Sequence, residues 1–316
     1  MADPIRWGVL GARSHIWLQS IEPQLAASDR HEVVARASRD ADGGDGTYAE
    51  LLRDPAVEAV YVPLPNGLHH RWVLEALAAG KHVLCEKPLG MTEAEAAEMH
   101  SAAATAGRVL VEAYASPFHP ANQLVQQLVT EGELGELLFA HHAFTYSHAR
   151  PGVDHRYDPV LGNGSLLDLG CYVVGPLLWF AGREPQRVTS AARRSTEGVE
   201  VSLSGWLDFG PTLGQGFRAL VETSFEAPHR RNQELVGTNG VLRRPRAWFP
   251  SEDDTAIEVT RPDDSVDRFT CAGGNAYRAM VDAFWGTVRT GDAPLFGTAE
   301  SLRLARTLDR LAAAAP

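Results

Sequence analysis

At 316 residues, 44% hydrophobic and 22% charged, the chain has the size of two domains and the composition of a globular protein. Its net charge of −11 argues against nucleic acid or an anionic membrane as partner, since both reward clustered Lys and Arg. No apolar stretch approaches the length needed to span a bilayer.

Strand and helix alternate through the first 118 residues. Residues 5–10 read as a strand, 15–27 as a helix and 32–38 as a strand rich in Val and Ala. The glycines and acids of residues 40–46 mark a flexible surface loop. A short helix over Tyr48–Arg53 follows, then a strand over 59–64 and a helix over 69–79 with Gly80 just beyond its end. His82-Val83-Leu84-Cys85 is a short apolar run suited to a buried parallel strand. Thr92-Glu93-Ala94-Glu95 is a capping box that opens an Ala-rich helix ending near Gly107, and 108–113 is a further strand. Such alternation implies an α/β fold with a parallel, doubly wound sheet and right-handed crossovers.

The character changes at Pro117-Phe118-His119-Pro120, and the expected boundary falls between residues 118 and 119. A helix runs to Glu131-Gly132. Segments 137–148, 187–196, 199–209, 215–225, 232–242 and 257–260 are β-rich, and several alternate apolar with polar residues. Antiparallel strands packed on one face give that pattern. Helices over 276–289 and 298–313 close the chain. Cys85, Cys171 and Cys271 are odd in number and far apart, with no C-x-x-C, so reduced thiols in a cytoplasmic protein are expected. The amino terminus runs into a strand with no signal-peptide core.

Three places invite chemistry. Gly8-Val9-Leu10-Gly11-Ala12-Arg13-Ser14 joins the first strand to the first helix, where a dinucleotide pyrophosphate sits in such folds; the third glycine of the usual pattern is missing. Ser38-Arg39 ends the second strand, where NAD-binding folds place an acid for the ribose hydroxyls. Serine and arginine suit a 2′-phosphate instead, because guanidinium donors match phosphate oxygens. Asp40 comes one residue late for the acid role. Glu86-Lys87-Pro88 falls at the carboxyl end of a strand, where α/β sheets bind ligands. His141, His142, His148 and His155 lack the carboxylate spacing of a metal site, so no metal is expected.

These residues, taken with others, resemble the Gfo/Idh/MocA family, named for glucose–fructose oxidoreductase and inositol dehydrogenase. The resemblance rests on Tyr61-Val62-Pro63-Leu64-Pro65-Asn66-Gly67-Leu68-His69, on Gly80 to Pro88, and on Val111-Glu112-Ala113-Tyr114 with His119-Pro120. Gly164-Ser165-Leu166-Leu167-Asp168-Leu169-Gly170-Cys171-Tyr172 and Val236-Gly237-Thr238-Asn239-Gly240 complete it. It implies a Rossmann domain over 1–118 and, over 119–316, an α+β domain with a large, mostly antiparallel open sheet for substrate binding and oligomerisation. The implied cofactor is NADP, with NAD open. It would be held by Gly8, Gly11, Ala12, Arg13, Ser38, Arg39, Leu64, Pro65, Asn66, His69, Glu86 and Lys87. The implied catalytic residues are Lys87, Asp168 and Tyr172, with Arg156-Tyr157 nearby. Trp17 stands where relatives carry a small residue beside the pyrophosphate, after a one-residue insertion around Arg13. Only seven residues separate Asp40 from Tyr48, so the usual second helix and third strand are missing.

The implied reaction interconverts alcohol and ketone on a sugar, sugar nucleotide or cyclic polyol. A tyrosine hydroxyl can pass the proton, but its reference pKa near ~10 is high for exchange at neutral pH. A lysine ammonium about 4 Å away would stabilise the phenolate by up to ~4 kcal/mol at an effective dielectric of about 20, roughly three pKa units. Asp168 precedes Tyr172 by four residues, so both share a face if the segment is helical. Two other readings stay open: a non-catalytic relative acting as ligand sensor or assembly partner, and a redox-neutral NAD-dependent glycosidase-type enzyme. A homodimer or homotetramer is expected through the open sheet, with Val199-Glu200-Val201-Ser202-Leu203-Ser204 contributing.

Overall fold

The computed structural model describes residues 3–39, 46–148, 154–210 and 216–315, and the chain divides into two units. One comprises Met1–Ala115 and Ala276–Leu302, the other Ser116–Asn275 and Arg303–Pro316. The expected loop over 40–46, including Asp40, lies outside the described residues except for Gly46.

Five parallel strands form the sheet of the first unit: β1 (Ile5–Leu10), β2 (His31–Ala37), β3 (Ala59–Val62), β4 (His82–Glu86) and β5 (Leu110–Ala113). Their order is β2-β1-β3-β4-β5. Every residue of β3 and β5 is buried, as the unbroken runs of a parallel sheet require. The order reverses between β1 and β3, a switch point that opens a crevice at the strands' carboxyl ends. β2 is an edge strand, and it reaches β3 through the short helix α2 (Tyr48–Arg53), in keeping with the missing helix and strand. The other helices here are α1 (Glu22–Ala26), α3 (His69–Ala78) and α4 (Glu93–Ala106).

Two local details differ from expectation. The first helix is interrupted: residues 15–16 are helical, Trp17–Ile21 form a π-turn, and α1 follows. A π-turn accommodates one residue more than an α-turn, which is the local form an extra residue near Arg13 would take. At α4, Thr92 accepts from the Glu95 N–H at 3.2 Å, but the Glu95 carboxylate turns to the Met91 N–H (2.8 Å) rather than to Thr92. The reciprocal box forms at Thr47 and Glu50 instead.

The second unit begins with α5 (Pro120–Thr130) and contains α6 (Ser165–Ala181). Its sheet has eight strands: β6 (Leu137–Thr145), β7 (Arg187–Arg194), β8 (Glu200–Asp208), β9 (Arg218–Ser224), β10 (Arg230–Gly237), β11 (Val241–Arg244), β12 (Ala256–Thr260) and β13 (Val266–Thr270). The order is β13-β12-β11-β10-β6-β9-β8-β7, antiparallel throughout except for the β6–β9 pair. The segment read as one strand over 232–242 is a hairpin, closed by a bond from Gly237 N–H to the Gly240 carbonyl. β13 was not anticipated. It is an edge strand whose residues are nearly all exposed, so it carries no apolar alternation.

On one face this sheet packs against α6. The other carries Trp206, Leu220, Phe139, Val236 and Val241 on neighbouring strands, and Trp206 is 46% exposed. The Val199–Ser204 segment does not supply that face with apolar side chains: Val199, Val201 and Leu203 are buried.

The chain then returns. Helix α7 (Ala276–Thr290) belongs to the first unit, where Phe284 packs against Trp7 with ring centroids 5.0 Å apart. Arg289 grips both Glu58 oxygens at 2.5 and 2.7 Å. The final helix α8 (Thr298–Ala314) begins in the first unit, which ends at Leu302. A boundary read at 118/119 misses this return. The apolar stripe of α7 announces a buried face but not the sheet that buries it.

Candidate active site

In the first unit the expected cofactor residues gather at the carboxyl ends of β1 to β4. Gly11 has φ +110°, a value side chains disfavour, and an added Cβ would stand 3.0 Å from Leu64 Cδ2. The turn is pinned to β2 by the Gly11 and Ala12 N–H groups, which donate to the Ala37 carbonyl at 2.9 and 3.0 Å. Ser14 then accepts from the Trp17 N–H at 3.3 Å, opening the helix. Gly8 lies lower in β1, where an added Cβ would meet Leu51 Cδ2 at 2.6 Å. Arg13 and Arg39 are exposed at this edge, and Ser38 is buried beside them in sequence.

At the end of β3, Pro65 leads into a short turn over Asn66–Leu68. His69 is fully buried, and its ring nitrogens lie 2.8 Å from the Leu64 carbonyl and 2.9 Å from that of Pro88. It thereby ties the end of β3 to the turn after β4. Glu86 accepts from the Tyr61 hydroxyl at 2.7 Å and from the Lys87 N–H at 3.3 Å. Burial first, and Glu86 second, push the Tyr61 hydroxyl well above its ordinary pKa, so it serves as a donor. Lys87 is half-buried.

Trp17 does not crowd this edge. Its side chain is wholly buried, with its ring 5.9 Å from that of Tyr61. The glycine turn, the helix start and the Ser38-Arg39 end therefore remain compatible with a dinucleotide. The start of the helix would meet the pyrophosphate, which the lack of a side chain at Gly11 lets approach, and Ser38 and Arg39 would meet a ribose phosphate.

In the second unit Asp168 and Tyr172 lie on α6, one turn apart, as their spacing predicted. The helix start is fixed by a buried acid the sequence reading missed. Glu200 accepts from the Leu166 N–H and the Ser165 hydroxyl, both at 2.7 Å, and Ser165 also bonds Thr223 at 2.9 Å. Gly164 must be glycine, because its φ is +97° and a Cβ would stand 2.2 Å from the Glu200 carbonyl.

Asp168 Oδ2 accepts from Arg156 Nε and from the Tyr146 hydroxyl, both at 2.9 Å. Arg156 also pairs with Asp154 (3.3 Å), which in turn meets His148 at 2.7 Å. Burial disfavours the Arg156 charge, but Asp168 and Tyr146 outweigh it and hold the guanidinium pKa above its usual value. Burial likewise opposes ionisation of Asp154, yet the Arg156 N–H, His148 and the guanidinium bring it down to about 2. Burial, with Asp168 second, raises Tyr146. Tyr172 is 8% exposed and packs edge-on to Phe144 (5.4 Å) and against Phe249 (4.9 Å).

Of the expected residues, the structure therefore joins Arg156 to Asp168 directly and adds Tyr146, His148 and Asp154. No sequence motif links these, since they come from the end of β6 and the segment before α6. The four histidines do not share one site: His141 meets Glu222 (2.7 Å), His142 the Val173 carbonyl (2.9 Å), and His148 and His155 both meet Asp154. Among the described residues no group of three or more His, Cys, Asp or Glu could hold a metal ion. Among those residues, too, no helix is long and apolar enough to cross a membrane.

Comparison with known proteins matches residues 5–114 to the oxidoreductase family model GFO/IDH/MocA with an NAD-binding Rossmann fold, and residues 122–243 to the GFO/IDH/MocA C-terminal domain. The chain is 35% identical over 319 residues to D-xylose 1-dehydrogenase (NADP(+)) 2 of Haloferax volcanii, covering 96% of this chain and 95% of that one. It is 31% identical over 265 residues to mouse trans-1,2-dihydrobenzene-1,2-diol dehydrogenase, covering 78% and 77%. Its fold matches the crystal structure of KijD10, a 3-ketoreductase from Actinomadura kijaniata in complex with NADP and TDP-benzene. The TM-score is 0.90 at 32% identity, over 99% of this chain and 98% of that one.

Proposed function

The chain belongs to the Gfo/Idh/MocA family of oxidoreductases, and from that premise we propose that it transfers hydride between NADP and a sugar or sugar nucleotide, interconverting alcohol and ketone. The observation that carries the reading in this chain is α6, where Tyr172 and the bonded Asp168 share one face and Glu200 holds the helix start. When bound, the nicotinamide supplies or accepts the hydride. Tyr172 passes the proton to or from the substrate oxygen, and the Lys87 ammonium stabilises its phenolate. Asp168, occupied by Arg156 and Tyr146, serves to orient substrate hydroxyls rather than to donate a proton. Ser38 and Arg39 select NADP over NAD.

The open sheet face is assigned to a second copy of the chain. Its row of Trp206, Leu220, Phe139, Val236 and Val241 is flanked by the His141–Glu222–Arg230 triad and the Glu234–Arg243 pair, charges of both signs that a two-fold partner can meet. Sedimentation tests this: Trp206→Glu should yield monomer, and a wild-type monomer at all concentrations would refute it. A cytoplasmic setting accords with three free thiols, two of them buried.

A further inference from the structure

Glu112 lies inside the first unit on β5, where a parallel strand has no ordinary use for a carboxylate. It is 3% exposed. Its partners are specific. Oε1 accepts from the Leu89 N–H at 3.1 Å, and Oε2 accepts from the Ser301 hydroxyl of α8. Leu89 is two residues past Lys87, so Glu112 holds the far side of the turn whose near side His69 and Glu86 hold.

Resting on the hydride-transfer reading, we propose that Glu112 is a positioning residue whose carboxylate fixes the Lys87–Leu89 turn and whose proton governs the charge facing Lys87. The groups around it can be named. From β4 come Cys85 and Glu86, from the turn Lys87, and from α8 Ser301. Cys85 is buried, and its thiol is pushed up by burial, so it stays neutral. Glu86 repels the Glu112 charge and Lys87 attracts it.

The balance places Glu112 at a useful point. Burial raises it, the Ser301 and Leu89 bonds and Lys87 lower it, and it comes to rest at about 7. Below that pH the acid is protonated, and Lys87 faces one fewer anion. Above it the carboxylate is ionised and shares the lysine's field with the substrate site. The switch is local, because a proton on Glu112 leaves the Leu89 N–H an oxygen to bond.

The test is the pH dependence of Lys87 labelling by acetic anhydride, read by peptide mass spectrometry on the whole protein. This needs no substrate, so it stands whether or not the hydride-transfer reading does. Glu112→Gln keeps the shape and removes the titration. It should abolish the change in labelling slope near neutral pH and raise the Lys87 rate at pH 8 several-fold. Ser301→Ala removes a donor to the carboxylate and should move the change to higher pH instead. NADPH affinity, read by fluorescence, should hold within about twofold in both. A purely structural role for Glu112 would lower thermal stability and leave the labelling profile of the folded protein unchanged. An unaltered profile in Glu112→Gln, or the same shift in both variants, would overturn the proposal.

Discussion

Lys87 and Tyr172 are placed by two different kinds of construction. Lys87 follows a buried parallel strand, and what fixes it is bonding to main chain: Glu86 bonds the Lys87 N–H, while His69 and Glu112 reach main-chain groups within two residues of it. Tyr172 sits in a helix whose Asp168 face is bonded side chain to side chain. Glu200 of β8 holds the helix start, and Asp168 is bound from Tyr146 and Arg156. The first construction relies on side chains bonded to backbone, and the second adds a hydroxyl and an ion pair that bind the side chain of Asp168 itself. A strand end needs only its turn held, whereas a helix can slide or rotate unless its face is pinned.

The largest effect should come from striking both constructions at their tips. Lys87→Met and Tyr172→Phe should each cost at least about a hundredfold in kcat, the ordinary range for acid–base groups. The double variant should be little worse than either, because groups acting as a unit are not additive. Additive losses in the double variant would show that the two residues do not act as one unit.

Next in size is the ion-pair network. Arg156→Ala removes a charge-assisted bond worth about 1.5–3 kcal/mol and leaves Asp168 with Tyr146. The loss should be tenfold to a hundredfold in kcat/KM, with NADPH binding unaltered. Arg156→Lys should restore less than half of it, since a point charge cannot copy the fork.

Much of this contrast follows what the sequence made visible. The strand-end tripeptide, the glycine turn and the Asp168–Tyr172 spacing are contiguous or periodic, so one dimension suffices to find them. Tyr146, Asp154 and Glu200 are not. Tyr146 follows the last residue of β6, Asp154 precedes a short turn, and Glu200 opens a strand whose alternation predicts an outward acid. Instead Glu200 turns inward to the start of α6, next to the register shift between Arg193 and Arg194. Helix α7 is legible as a helix, but its placement is not, because Trp7 of β1, against which its Phe284 packs, lies more than two hundred residues earlier in the chain.

A smaller effect concerns cofactor choice alone. Arg39→Ala should weaken NADP at least about tenfold, the cost of one charge-assisted contact, and leave NAD nearly unchanged. Tighter binding of NAD than NADP by the wild type would reassign the end of β2.

The smallest effect contrasts the buried titrating groups of the two units. His142, in the second, is lowered to about 3 by burial, which outweighs its bond to Val173. A histidine depressed in the folded state gives stability that is complete above about 6.5 and falls as pH drops toward 3. At pH 5 this one group should cost about 2 kcal/mol relative to pH 7. Glu112, in the first unit, is raised to about 7, so its contribution runs the other way: complete below the ordinary carboxylate value and lost as pH rises through 7. Urea unfolding across pH 4–8 should show a shallower acid limb in His142→Gln and a shallower loss on the alkaline side in Glu112→Gln.

The central claim is hydride transfer with NADP, and absorbance at 340 nm tests it most directly. Wild-type protein should be mixed with NADP and, in turn, D-xylose, other aldoses, inositols and a dTDP-linked hexose. At least one should give a sustained rise matching product formed, with NAD far slower and Tyr172→Phe nearly silent. Conversion of a sugar with no net change at 340 nm, or turnover by Tyr172→Phe at the wild-type rate, would contradict the account.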